Sequence, residues 1–185
     1  VVLVGHSLGG HSTLSALALA ETYVVDGTIV AVATFAPLWV PMRTWGALIG
    51  VADGYPFADY SGPNAVSIWY HYTHAELLDG PGKGVLLFKP AKRDLVKTFV
   101  ETACWQNWDK LTAMGFSLTD IVDPGFVDAV VRRAMGVEEA CPSDGAAKTL
   151  CETWMARYAA DRPHLTGAAA AVPQLLVWGG KDATI

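Results

Sequence analysis

The sequence predicts a mixed α/β fold with a mostly parallel sheet, and three observations support this prediction. An apolar run, a helical pattern and a second β-rich run follow one another over residues 1–36, which is the order of a βαβ unit. Another strand-like run comes at residues 172–178, near the end of the chain. The long segment between these parts, residues 42–171, has mainly helical patterns.

The strand predictions depend on short apolar runs that do not alternate with polar residues. Residues 1–4 form a continuous Val-Val-Leu-Val run, as expected for a strand buried on both faces of a parallel sheet. Residues 28–35 form the second run, which follows an Asp-Gly turn and ends at an Ala-Pro pair. Residues 172–178 form the third, and we expect that strand to be buried in the same way.

Helices dominate the predicted central segment, where charged and aromatic residues become frequent. The pattern predicts helices over residues 94–108, 117–121, 123–136 and 146–160. Asp123 and Pro124 are typical of an N-cap and a first helical position, and Gly136 is typical of a helix end. Residues 85–88 fit a short strand or a buried turn equally well.

Composition excludes several classes of protein. The 185 residues are 52% apolar and 17% charged, with a net charge of −5, which excludes disorder for most of the chain. Lys and Arg do not cluster, so nucleic acid is not an expected partner. Glycine and polar residues interrupt the charge-poor residues 1–42, so we expect no transmembrane segment there.

The sequence begins without Met, and its first residues already belong to a strand pattern. We therefore expect the chain to be a piece of a longer protein.

One short motif near the start of the chain is typical of a catalytic serine. Residues 5–9, Gly-His-Ser-Leu-Gly, match G-x-S-x-G between a predicted strand and a predicted helix. This context places Ser7 on a sharp, strained turn, and we expect glycine at positions 5 and 9 because side chains there would collide with neighbouring backbone. The turn also brings the Leu8 N–H to a helix N-terminus, where it can face a developing oxyanion. The alternative is an ordinary glycine-rich βα turn.

These residues resemble the α/β-hydrolase superfamily, whose members carry Gly-His-Ser-x-Gly-Gly after the fifth strand of the sheet. The resemblance implies that Ser7 is the catalytic nucleophile, that the Leu8 N–H is one oxyanion donor and that residues 28–37 are the sixth strand. The elbow itself would comprise Gly5, His6, Gly9 and Gly10 around this serine. More narrowly, residues 5–11, 20–23 and 36–37 are similar to secretory lipases.

The same resemblance implies a division of the chain into three parts. Residues 1–41 would be hydrolase core, residues 42–171 a helical cap or lid inserted between strands six and seven, and residues 172–185 strand seven with the acid loop. In this superfamily the triad follows the order Ser, Asp or Glu, His. Asp182, just past strand seven, is the expected triad acid, although a plain turn residue is the alternative. The segment after strand six has no carboxylate before Asp53.

No histidine of the chain fits the third place in that order. The five histidines are His6, His11, His71, His74 and His164. His6 belongs to the elbow, His11 to the helix behind it, and His164 to a loop before strand seven. His71 and His74 have a spacing that metal sites also use, but we do not expect a metal there. We therefore expect the general base beyond residue 185 and the second oxyanion donor before residue 1.

Aromatic residues after strand six suggest the kind of substrate that the protein would bind. Trp39 and Trp45, soon after strand six, are candidates for lining a pocket that shields an acyl chain, while most other aromatics suit the insertion's own core. The expected partner is a small-molecule ester or lipid, with no metal or organic cofactor. Acyl-enzyme hydrolysis of a carboxylic ester is the predicted activity. Other acyl hydrolases, a peptidase, or a noncatalytic binding module of the same fold are the alternatives.

Three cysteines lie in the insertion. Because secreted lipases often carry disulfides in such regions, the resemblance leaves open a Cys104–Cys141 or a Cys141–Cys151 bridge, and either would indicate an oxidising, extracytoplasmic compartment. Reduced, buried thiols in a cytosolic enzyme are the alternative.

Overall fold

A computed structural model describes residues 1–23, 26–38, 42–50, 61–103 and 118–180. It confirms a mixed α/β chain with a small parallel sheet and many helices. The strands are β1 (Val2–His6), β2 (Ala31–Phe35) and β3 (Gln174–Val177). The helices are α1 (Leu8–Leu19), α2 (Met42–Gly50), α3 (Ser61–Leu78), α4 (Arg93–Thr102), α5 (Leu118–Ile121), α6 (Pro124–Ala134), α7 (Gly145–Asp161) and α8 (Gly167–Ala171).

The three strands form one parallel sheet in the order β1-β2-β3. Leu3 lies opposite Val32, and Thr34 lies opposite both Gly5 and Leu176. The first strand therefore reaches the second through α1, which confirms the predicted βαβ unit and places the carboxyl ends of all three strands at one edge.

One face of this sheet carries a hydrophobic core. Leu14 and Leu17 of α1, Val32 of β2 and Ala169 of α8 are buried together. Leu3, Ile29, Leu165, Val172 and Leu176 are partly buried against this cluster. The apolar side of α1 thus fixes the helix on the sheet directly behind the turn at Ser7.

The prediction that β1 and β3 are buried on both faces is wrong for the described residues. Val2 and Val4 of β1 are 56% and 64% exposed, and Leu175 of β3 is 56% exposed. Side chains alternate along a strand, so these residues lie on the face opposite to Leu3 and Leu176. A continuous apolar run looks the same whether one face or both are covered, and this explains the error.

The helices of the central segment agree with the sequence in part. α6 begins after Asp123, whose carboxylate accepts hydrogen bonds from the Gly125 and Phe126 N–H groups, and Gly136 beyond its end has a φ of 93°. These features confirm the predicted cap and stop. The prediction over 94–108 is confirmed to Thr102, and its remainder lies outside the described residues.

Three of the described helices were not predicted, namely α2, the 18-residue α3 and the short α8. α3 contains β-branched and aromatic residues of modest helix propensity and no clear amphipathic stripe, so the period of 3.6 is not visible in its sequence. Residues 84–87 form a turn, so of the two alternatives for residues 85–88 the structure has the turn and not the strand. Phe88, directly after this turn, makes an isolated antiparallel bridge with Val122.

The chain divides into two compact units. The first comprises residues 1–44 and 157–185 and contains the sheet, and the second comprises residues 45–156. None of the helices within the described ranges has the length and apolar character required to cross a membrane.

Candidate active site

Ser7 occupies the turn between the end of β1 and the start of α1. Its φ is 53° and its ψ is −122°. This region of the Ramachandran map is strained for a residue with a side chain, and such strain is concentrated at functional sites. The strained strand-to-helix turn predicted from the motif is therefore present at Ser7.

Backbone hydrogen bonds hold this strained peptide on both sides. The Ser7 N–H donates to the Phe35 carbonyl at 3.0 Å, which extends the β1–β2 ladder by one residue. The Ser7 carbonyl accepts from the Gly10, His11 and Leu38 N–H groups at 2.9, 3.2 and 3.1 Å. Ser7 is thus fixed by its own helix and by the segment that follows β2.

Gly5 allows the close backbone approach that the motif predicts. A Cβ at this position would lie 2.2 Å from the Gly9 carbonyl oxygen and 2.5 Å from Thr13 Oγ1. Backbone cannot give way as a flexible side chain can, so α1 approaches β1 this closely only because residue 5 has no side chain.

The steric reason predicted for Gly9 is wrong for the described residues. Apart from its chain neighbours and the backbone of its own helix, no described atom lies within 4 Å of a Cβ built on Gly9. The second position that excludes a side chain is Gly10, where a Cβ would lie 2.8 Å from both Cα and Cβ of Pro37. The collision therefore occurs against the segment after β2 and not against β1.

The Leu8 N–H is the first N–H of α1. Within the described ranges no acceptor is bonded to it, as is usual for the first N–H groups of a helix, and the Leu8 side chain is 64% exposed. The Ser7 side chain is half-buried and makes no capping hydrogen bond to the helix. Both groups are therefore available to a molecule that approaches the N-terminus of α1, where the helix dipole favours negative charge.

The five histidines all lie in the described part of the chain. His6 is exposed, and His164 is exposed with its Nε2 3.4 Å from the Ala159 carbonyl. His11 is half-buried with its Nδ1 3.1 Å from the Leu38 carbonyl. His71 and His74 have Nδ1 at 2.5 and 2.9 Å from carbonyls of their own helix. Among these contacts none joins an imidazole to the Ser7 hydroxyl.

The other predicted site residues fall in different places. Asp182 and Trp39 lie outside the described residues. Trp45 is 1% exposed in the second unit, where its ring centroid lies 4.2 Å from that of Tyr70 and 6.0 Å from that of His71. No group of three or more His, Cys, Asp or Glu side chains suited to a metal ion occurs in the ranges that the structure describes.

The segment after β2 is the part of the site that sequence reasoning missed. Ala36 has a φ of 41°, and its N–H donates to the Val177 carbonyl at 2.7 Å. Ala36 and Ser7 are the non-glycine residues with positive φ in the described chain, and they belong to neighbouring turns. Pro37 was the available signal, because proline after a strand marks a fixed turn, but a positive φ at alanine has no sequence pattern.

A disulfide joins Cys141 to Cys151 in the second unit, with a Cα–Cα distance of 5.7 Å. Of the alternatives that the sequence left open, the structure contains this bridge. Cys151 is 1% exposed on α7, so the bridge ties the irregular segment before α7 to a buried helical position.

No protein-family model, no curated protein and no solved structure matches this chain.

Proposed function

We propose that this protein is a serine hydrolase that cleaves carboxylic esters through an acyl-enzyme intermediate. The observation that carries the proposal is the backbone of Ser7, a serine with φ of 53° between a parallel strand and a helix N-terminus. A strained conformation at this place has a cost of about 1–3 kcal/mol, and a nucleophile that must stand clear of the sheet explains why it is kept.

The chemistry follows from the two groups at the turn. The Ser7 hydroxyl oxygen attacks the ester carbonyl carbon, a general base accepts the hydroxyl proton, and the carbonyl oxygen becomes an oxyanion. The Leu8 N–H donates to that oxyanion, aided by the positive end of the α1 dipole. Collapse of this intermediate releases the alcohol, which takes the proton from the base, and water then hydrolyses the acyl-serine by the same steps.

We propose that the base is a histidine other than the five in this chain, oriented by Asp182. The hydrogen bonds described above for His11, His71, His74 and His164 go to backbone carbonyls, and none of them places an imidazole nitrogen against the Ser7 hydroxyl. The 185-residue chain alone, assayed on a short p-nitrophenyl ester, tests this point. Turnover at enzyme-like rates would show that one of these five histidines is the base.

The insertion of residues 42–171 is proposed to serve as the cap or lid. Trp39 remains a candidate for lining an apolar acyl-chain pocket, whereas Trp45, at 1% exposure, belongs to the core of the second unit. The Cys141–Cys151 bridge supports an oxidising compartment for the protein, because disulfides persist in such compartments.

A noncatalytic α/β-hydrolase-like binding module is the second candidate. The observation that favours it is that, in the described ranges, the Ser7 hydroxyl has no hydrogen-bond partner that could serve as a base. Such a module would keep the elbow for its architecture and would not react at Ser7.

Ester turnover by the intact natural protein decides between the two. We expect p-nitrophenyl butyrate hydrolysis that Ser7→Ala abolishes, and a fall of about 10⁴-fold in kcat for Asp182→Asn, because loss of the orienting carboxylate leaves the base misdirected. Ser12→Ala, an exposed serine of the same helix, is the matched control and should retain full activity. Parallel assays on thioester and amide substrates would separate an esterase from other acyl hydrolases.

A further inference from the structure

Two hydrogen bonds to the backbone of one residue, Leu38, connect His11 to the backbone of Ser7. The Leu38 N–H donates to the Ser7 carbonyl at 3.1 Å. The Leu38 carbonyl, in turn, lies 3.1 Å from His11 Nδ1. Leu38 is therefore held from both of its backbone groups, on one side by the strained residue and on the other by a side chain of α1.

The chemistry of this contact fixes the form of the imidazole. A carbonyl oxygen only accepts hydrogen bonds, so His11 Nδ1 must carry the proton and donate it. In a neutral histidine the choice of protonated nitrogen is set by the hydrogen bonds that the ring makes. The Leu38 carbonyl thus selects the Nδ1–H form of His11.

The segment of residues 36–38, which contains Leu38, has a strained backbone in this position. Ala36 has a φ of 41°, and Gly10 is the position at which α1 permits Pro37 to approach. Strain in a non-glycine residue persists only where surrounding contacts hold it. The His11 hydrogen bond is one such contact, since it anchors the segment at the residue next to Pro37.

We propose that His11 is a positioning residue, which holds the strained backbone of Ser7 in its reactive geometry through the backbone N–H and C=O of Leu38. The role in catalysis rests on the proposed function, whereas the link itself does not. His11 does not touch the reacting atoms in this scheme. It limits the movement of the segment 36–38, and this segment supplies one of the three N–H groups bound to the Ser7 carbonyl.

The first test does not depend on activity. Nitrogen-15 NMR of the 185-residue chain should show His11 protonated at Nδ1, and the Leu38 amide should exchange slowly with solvent. His11→Leu removes the donor and should accelerate Leu38 exchange at least about tenfold, as for a locally opened segment. His11→Asn places an amide donor near the position of Nδ1 and should restore protection. His164→Leu, which removes an exposed histidine of the same unit, is the control and should change neither quantity.

Protonation of His11 at Nε2 alone, or unchanged Leu38 exchange in His11→Leu, would overturn the proposal.

The catalytic part is tested in the intact natural protein by the rate at which a fluorophosphonate labels Ser7. We expect about a tenfold fall in His11→Leu, well below its melting temperature, and recovery in His11→Asn, because small misplacements of a reacting group cost rate. A lower melting temperature with an unchanged labelling rate would contradict a positioning role. Absence of labelling in the wild type, with the His11–Leu38 link intact, would instead overturn the proposed function.

Discussion

At the scale of single residues, the backbone of Ser7 is the feature that separates this turn from an ordinary βα connection. A glycine would adopt a φ of 53° without strain, yet the position holds a serine. The sequence allowed the strained turn to be predicted because G-x-S-x-G stands between a strand and a helix. It did not show which neighbours enforce the turn, because Pro37 and Leu38 approach from a segment more than 25 residues away, as the separation of 27 between His11 and Leu38 illustrates.

Ser7→Gly should be more stable than Ser7→Ala. Glycine relieves the strain at φ 53°, whereas alanine retains it, and the difference in unfolding free energy should be about 1 kcal/mol after the entropy cost of glycine. Urea denaturation of both variants measures it. Equal stabilities would mean that Ser7 is not strained in solution.

The two glycines of the motif should respond differently to a methyl group. Gly5→Ala should lose about 2 kcal/mol or more, because its Cβ would lie 2.2 Å from the Gly9 carbonyl oxygen. Gly9→Ala should lose nothing and gain up to about 1 kcal/mol, because alanine is the better helix former and no described atom opposes its Cβ. Thermal unfolding of both variants provides the comparison, and a greater loss in Gly9→Ala would show that the turn is packed differently.

At the scale of elements, the sequence predicted the helix boundaries that local residues determine, and it did not predict the helices that depend on tertiary packing. The start of α6 was predictable because Asp123 and Pro124 act through their own backbone neighbours. α3 was missed because its helical state depends on packing rather than on propensity. Ile68 and His71 are buried at 0% and 2% exposure, and the His71 ring centroid lies 4.7 Å from that of Trp154, a residue distant in sequence. Asp182 and Trp39, outside the described residues, stay predictions.

Asp123→Ala should reduce the unfolding free energy by about 1 kcal/mol, because it removes the acceptor for the Gly125 N–H at 2.8 Å and the Phe126 N–H at 3.3 Å. Asp123→Asn retains an acceptor oxygen and should lose only part of this. Chemical denaturation monitored by circular dichroism distinguishes them, and an alanine variant as stable as wild type would exclude capping at this end.

At the scale of the whole molecule, two units of different character share one chain. The first has a small sheet with an apolar face that the described residues leave exposed at Val2, Val4 and Leu175. The second has a large aromatic core and a disulfide. The apolar share of 52% therefore does not come from strands buried on both faces.

The disulfide should be visible as a difference in thiol content. Under denaturing conditions, two more thiols should react after reduction than before, and the Cys141→Ser/Cys151→Ser double variant should show no such difference. Reduction should also lower stability by about 2–3 kcal/mol, as expected for closing a loop with a separation of 10 residues. Identical thiol counts in the wild type would rule out the bridge.

The central claim, that Ser7 is an activated nucleophile, is tested most directly by covalent labelling. The intact natural protein is treated with a fluorophosphonate and digested, and the modified residue is located by mass spectrometry. We predict stoichiometric modification at Ser7, none in Ser7→Ala, and full modification in Ser12→Ala. A wild-type protein that stays unmodified at Ser7, or that is modified equally in Ser7→Ala, would contradict the claim.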